Sequence, residues 1–277
     1  MSSPRDISSF ALKIIAIIGM TGNHAAYVLG PHLPTGVTVF LFSLGGLTFP
    51  IMAFLLAEGY HYTSNFRRYL TRLLIFALIS QAPYSLLWGA AGNVLITLAL
   101  GLAAVYAIDK FASTALKVLS VCACVALSAS CDWGIIGPLL VCLFHVKRGE
   151  GASGVAICMA LPLAVLGLPA LSYLAALAVG QELSFAPAAT ASMIQAMAQV
   201  GLPTIGGLFL IGDAMLLLPS PVVAAGEAGY ALGGVTLAGL LITLYRGCRG
   251  KPLKWFFYLY YPLHLSILWV AGVILYG

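Results

Sequence analysis

Apolar runs long enough to cross a bilayer recur from one end of this chain to the other, and no polar stretch between them is long enough to fold as a soluble domain. A chain patterned this way must satisfy every backbone N–H and C=O inside lipid, which leaves helices or a closed barrel. A barrel needs alternating polar and apolar residues, and that alternation is absent. The expectation is an all-α, polytopic transmembrane helical bundle forming one domain over residues 1–277. Composition agrees: 61% of residues are hydrophobic, 8% are charged and the mean hydropathy is +1.04, against roughly 25% charged in soluble domains.

The runs place spans at 10–30, 37–60, 68–89, 93–110, 114–130, 133–146, 152–168, 169–182, 191–218, 228–246 and 255–276, ten or eleven helices in all. Between 152 and 182, Gly167, Leu168 and Pro169 either turn a short hairpin or kink one long helix. Arg67, Arg68, Arg72, Lys110, Lys117, Lys147 and Arg148 cluster beside the loops after spans two, four and six. By the positive-inside rule those loops and the N-terminus are cytoplasmic. Arg246, Arg249, Lys251 and Lys254 join them if an even number of spans separates 148 from 246, which favours eleven.

Arg5 ahead of an apolar run imitates a secretory signal, but no convincing cleavage site follows before His24, and the run is taken as retained. The formal charge of +5 reports topology and anionic headgroups, so membrane lipids are expected partners and nucleic acid is not. The six cysteines lie mostly in apolar runs without zinc-like spacing; they read as small buried hydrophobes, and no metal site is expected.

Against this background the ionisable residues inside the spans carry the chemistry, because each is costly there and by default faces the bundle interior. In LKIIAIIGMTGNHAAYV, residues 12–28, Lys13 and His24 are eleven positions apart. That is about 16 Å of rise, within about 20° of a whole number of turns, so both lie on nearly one face. The last span, KWFFYLYYPLHLSIL over 254–268, repeats the arrangement with Lys254 and His264. Entering from the same side, His24 and His264 should reach similar depth, and Pro262 should free a carbonyl nearby.

Span two ends FPIMAFLLAEGYHYT, which sets Glu58 and His61 on one helical face as an acid and base pair or a solvated ion pair. The run Arg67, Arg68 and Arg72 is either a membrane anchor or, with Lys254, a cradle for a phosphorylated carrier. Gln81 and Asn93 either contact a substrate or bridge helices. Asp132 either caps the helix after it or serves the acceptor side of a reaction.

Taken in order, LKIIAIIGMTGNH, FPIMAFLLAEGYHYT followed by RRYLTRLLIFALISQAPYSL, NVLITLALGLAAVYAIDK, DWGIIGPLL and FYLYYPLHL resemble the TraX family of membrane acetyltransferases. The likeness covers most of the first 145 residues and the last helix; the 150–245 region carries no such motif. The family is known for acetylating the N-terminus of conjugative pilin. It belongs to a wider group of transmembrane acyltransferases that includes heparan-glucosaminide N-acetyltransferase, many of whose members carry a basic residue, ten intervening positions and a functional His in the first helix.

Lys13 and His24 match that spacing. The resemblance implies a bacterial inner membrane location, acetyl-CoA as acyl donor and His24 assisting transfer to a peptide, glycan or lipid acceptor. Two positions depart from the family pattern. Asn23 stands where an Asp usually precedes the His, and Gly45 and Gly46 occupy the region where an Arg usually precedes the FPIF-like motif.

These readings combine into one expectation. An acetyl group moves from acetyl-CoA, its phosphates near Arg67, Arg68, Arg72 and Lys254, to an amine or hydroxyl at His24. His24 acts as general base and His264 as partner or second base, with Lys13 at the inner edge and Asn23, Glu58, His61, Gln81, Asn93 and Asp132 around the acceptor. A proton-coupled solute transporter would use the same intramembrane groups. A non-catalytic assembly protein derived from the enzyme would follow from Asn23 and the missing Arg, and a homo-oligomer is left open.

Overall fold

The computed structural model describes residues 7–179, 221–251 and 253–276, and the expected span at 191–218 lies outside them. Twelve α-helices are described, numbered in chain order: α1 Ser9–Leu29, α2 Thr35–Leu44, α3 Thr48–Tyr62, α4 Phe66–Trp88, α5 Val94–Lys110, α6 Thr114–Ser128, α7 Ile136–Val146, α8 Gly151–Pro162, α9 Leu168–Ala178, α10 Pro221–Ala228, α11 Thr236–Thr243 and α12 Lys254–Tyr276. Among the described residues only two isolated β-bridges occur, and six helical stretches are long and apolar enough to cross a membrane. The chain is an all-α polytopic membrane protein.

Three of the long stretches are interrupted without ending. A 3-10 turn, Gly45–Leu47, joins α2 to α3, and π turns Leu163–Gly167 and Gly229–Val235 join α8 to α9 and α10 to α11. The Gly167, Leu168 and Pro169 sequence therefore kinks one stretch. A proline at 169 sits in the first turn of α9, where its missing N–H is least costly, and the π turn absorbs the register change.

Helix starts are fixed locally. Ser8, Asn65 and Asn93 accept from the backbone N–H of Ala11, Arg68 and Leu95 at the heads of α1, α4 and α5, each such cap contributing about 1 kcal/mol. Leu12, Phe49, Ile51, Leu102, Leu140 and Leu265 are almost fully buried where the helices meet. Leu78, Leu119, Ile267 and Ile274 stay exposed on the outside, as lipid-facing residues do.

The ends of the bundle differ in chemistry. Ile7 and Ser9 donate to the carbonyls of Leu244 and Cys248, and Glu58 binds Arg148, so the head of α1 and the tails of α3, α7 and α11 share one end. Every described lysine and arginine lies toward that end. At the other end the α4–α5 and α6–α7 loops pair through Gly92 and Cys131, and Tyr276 donates to the Val28 carbonyl. The six cysteines are free thiols; three of them, Cys131, Cys142 and Cys158, are buried.

Candidate functional site

The two deep histidines meet. His264 Nε2 lies 2.9 Å from His24 Nδ1, and His264 Nδ1 lies 3.0 Å from the Tyr260 carbonyl oxygen. A carbonyl can only accept, so Nδ1 of neutral His264 carries the proton and its Nε2 is a lone pair. That lone pair accepts from His24 Nδ1–H, which leaves His24 Nε2 as a bare base. The chain of donors thus fixes both tautomers from a backbone oxygen one turn back along α12. Tyr260 stacks on His264 at 5.2 Å, and its hydroxyl shares a 2.7 Å hydrogen bond with Thr21, one turn from His24.

His24 lines a cavity of about 140 Å³ together with Asn23, Thr48, Tyr84, Trp88, Asp132, Glu227 and Tyr230. Trp88 closes on the imidazole at 4.8 Å, and Trp133 stacks on buried Phe49 at 4.3 Å. The α6–α7 loop presents Asp132 to this cavity through an unusual backbone: Trp133 has φ 64° and Gly134 φ 39°. A non-glycine residue in that region is strained, and such strain persists where surrounding contacts over-determine it. Here those contacts are the Phe49 stack, Asp132 N–H on the Gly92 carbonyl at 2.7 Å and Thr97 donating to the Asp132 carbonyl. Burial pushes the Asp132 carboxyl up to about 6, with the Trp133 backbone N–H pulling the other way.

The position beside His24 has its own logic. Asn23 Nδ2 donates to the Phe42 carbonyl at 3.0 Å, an oxygen near the α2–α3 break. An aspartate could not donate there. Gly45 and Gly46 leave no room for a side chain: a Cβ on Gly45 would lie 2.6 Å from Asn23 Cγ, and one on Gly46 would strike the Tyr230 carbonyl and lie 2.9 Å from Gly234 Cα. The 3-10 turn and the Gly229–Val235 π turn are pressed backbone to backbone against the cavity wall.

Of the residues expected from sequence, His24, Asn23 and Asp132 line the cavity and His264 stands directly behind His24. Asp132 does not cap α7, whose preceding residue is Ile135 with no side-chain cap. Gln81 and Asn93 are engaged as helix bridges: Gln81 binds Ser85, the Ala91 carbonyl and Asn93, and Asn93 also reaches the Ala77 carbonyl and the N–H of Leu95. All four amide N–H donors of the two side chains are used, so neither is free for a ligand.

Glu58 and His61 do not pair with each other and lie at the basic end, away from the cavity. Glu58 binds Arg148 at 2.8 Å, while His61 meets His145 at 3.1 Å and His145 meets Asp109 at 2.9 Å. Lys13 also belongs to that end, with its ammonium 5.3 Å from the Phe257 ring centroid. Arg67 and Arg68 are exposed, and Arg72 is held between Tyr69 and Tyr258. The side chain of Lys254 lies outside those described.

Glu227 and the aromatic walls Tyr84, Trp88, Trp133 and Tyr230 were not singled out by the sequence. Glu227 carried the same signal as His24, a charge inside an apolar run. Reading the span as 228–246 placed it just outside, whereas α10 begins at Pro221 and buries it.

A family model described as TraX protein matches residues 8–211. The chain is also 30% identical over 297 aligned residues, covering 99% of this chain and all of the relative, to a probable fimbrial assembly protein FimC, serogroup H1, of Dichelobacter nodosus. No solved structure matches the chain.

Proposed function

The chain belongs to the TraX family, and from that premise we propose that it is a membrane-embedded acetyltransferase that moves an acetyl group from cytoplasmic acetyl-CoA to an amine or hydroxyl acceptor. The observation that carries this reading is the relay from the Tyr260 carbonyl through His264 to His24, which leaves an unprotonated Nε2 on a cavity-lining imidazole. A base held in one tautomer by a partner behind it is the arrangement general-base catalysis of acyl transfer needs. His24 takes the acceptor's proton as its nitrogen or oxygen attacks the thioester carbonyl. The C–S bond then breaks, and the thiolate recovers a proton. His264 shares the charge that develops on His24, so it acts as a positioning residue.

The basic end is the cytoplasmic one by charge, and acetyl-CoA phosphates are held there by Arg67, Arg68 and the head of α12. From the level of Lys13 a pantetheine arm has about 16 Å to cover. Below His24, Lys13 and Thr21 of α1 meet Phe257 and Tyr260 of α12, so donor entry parts α1 from α12. The acceptor, for which a pilin N-terminus or a glycan are the candidates, approaches from the opposite end, between the α6–α7 loop that carries Asp132 and the end of α4 that carries Trp88. The membrane is a bacterial inner membrane, with the N-terminus inside.

The deciding experiment gives purified protein labelled acetyl-CoA and membrane extract, with His24→Ala alongside. Label transferred by the wild type and lost in the variant supports the reading; no CoA binding and no transfer overturns it. The second reading is a non-catalytic assembly protein, and it draws on the printed name of the FimC relative. It predicts that His24→Ala leaves pilus assembly intact.

A further inference from the structure

We propose that Glu227, with Asp132, makes the His24 cavity a binding site for a primary ammonium group on a small apolar stem, and that Glu227 is the residue that selects an amine over a hydroxyl. The second half rests on the acetyl-transfer reading; the first does not.

Glu227 is 7% exposed and lines the cavity, and among the described residues it has no hydrogen bond or ion pair. An ionised carboxylate in a membrane helix is retained only with a partner, and lone acids there mark ligand or ion pathways. Among the described residues neither a lysine nor an arginine lines the cavity to supply that partner. The imidazole of His24 already donates through Nδ1 to His264 and turns a lone pair elsewhere, so as a neutral ring it offers the carboxylate no proton. An ammonium ligand would bring the positive charge that the described residues do not supply.

The walls fit a cation as well. Tyr230 stands 5.9 Å from Phe42 and 6.1 Å from Trp133, and Trp88 faces the imidazole. Aromatic faces attract an ammonium within about 6 Å of their centroids, the more so away from water. At about 140 Å³ the cavity is near the size that admits a single benzene in other proteins. It therefore takes an ammonium and a few carbons rather than a sugar ring with its hydroxyls. Gly226 sets the distance: its Cβ position is 3.2 Å from Phe42 Cδ1, so α10 lies close on α2 and carries the next residue into the cavity. An alcohol of the same shape would leave both carboxylates without a cation.

The test uses full-length protein in detergent with n-butylammonium, and 1-butanol and tetramethylammonium as controls, followed by calorimetry and thermal shift. The wild type is expected to bind butylammonium at least tenfold more tightly than either control. Glu227→Gln should lose that preference while unfolding at the same or a higher temperature. If Glu227→Gln does not fold, Glu227→Asp, which withdraws the carboxylate by one methylene, should bind butylammonium several-fold more weakly. Equal binding of butanol and butylammonium, or undiminished binding by a folded Glu227 variant, overturns the proposal.

Acetyl transfer is read separately on amine and alcohol probes. Ammonium binding without any transfer keeps this site and removes the acetyltransferase reading. Transfer to both probes at one kcat/KM, unchanged in Glu227→Gln, keeps the enzyme and removes this inference.

Discussion

His264 Nε2 lies 2.9 Å from Nδ1 of His24, 240 residues earlier in the chain, and the two rings are within 6° of parallel. Two packed rings would serve equally well as phenylalanine; two rings in a hydrogen-bonded sequence would not. His264→Phe keeps the volume and removes the acceptor, so His24 Nδ1–H loses its partner and the tautomer is no longer imposed. We expect kcat for acetyl transfer to fall by about 10²-fold to 10⁴-fold with KM little changed, and His24→Ala to lose at least as much. Nitrogen NMR of labelled histidine should find His24 protonated at Nδ1 in the wild type and mixed in His264→Phe. A single unchanged tautomer in the variant would sink the relay.

The family-type aspartate should be harmful here. Asn23→Asp replaces a donor to the Phe42 carbonyl with an anion facing an oxygen, which costs on the order of 1–3 kcal/mol. Gly46→Ala forces a methyl into the Tyr230 carbonyl and the Gly234 backbone. Overpacking of this kind usually costs about 1–3 kcal/mol, and more where both neighbours are backbone. Thermal unfolding in detergent measures both. A Gly46→Ala protein as stable as the wild type would mean that the two turns are not in contact.

The bundle was legible because apolar length in lipid admits so few solutions, and most span edges were recovered to within a few residues. The similar depth of His24 and His264 was legible as well, since equal distances from one membrane face put two residues at one level; that their rings meet comes from the packing of α1 on α12. What escaped was which atom each polar side chain meets. Glu58 and His61 share a face, yet partners on α7 and its tail separate them. Gln81 and Asn93 read as ligand contacts or as helix bridges, and only the backbone carbonyls that occupy them decide for bridges. Asn23 reads as a lost carboxylate until the helix break at Gly45 supplies the oxygen it serves.

At the basic end, Asp109 accepts from His145 and His145 contacts His61, so one chain of contacts ties α5, α7 and α3. His145→Ala removes both bonds and leaves Asp109 with less support. The expected loss is about 1–2 kcal/mol in chemical unfolding, because the site is partly exposed and each bond is worth about 1 kcal/mol net. Since these residues lie away from the cavity, acetyl transfer per folded molecule should not change. A large fall in kcat at unchanged stability would instead give the His61–His145–Asp109 chain itself a part in the reaction.

Asp132 sets stability and ligand binding against each other. Its folded value of about 6 lies above the ordinary 3.8, and desolvation is the main cause. Between about pH 4 and pH 6 the folded protein therefore holds a proton that the unfolded chain has released. The contribution of Asp132 is most favourable below pH 4 and is lost as pH rises through 6; the two-unit difference corresponds to at most about 3 kcal/mol. Asp132→Asn should flatten this part of the pH–stability curve and unfold at a higher temperature than the wild type at pH 7. Ligand binding runs the opposite way: the carboxylate is present only above about 6, so butylammonium affinity should rise through that pH in the wild type and rise less in Asp132→Asn. The cost of an ionised carboxylate in the empty cavity is then offset when a cation enters. Equal pH dependence of unfolding in the two proteins would show that Asp132 is as solvated when folded as when unfolded.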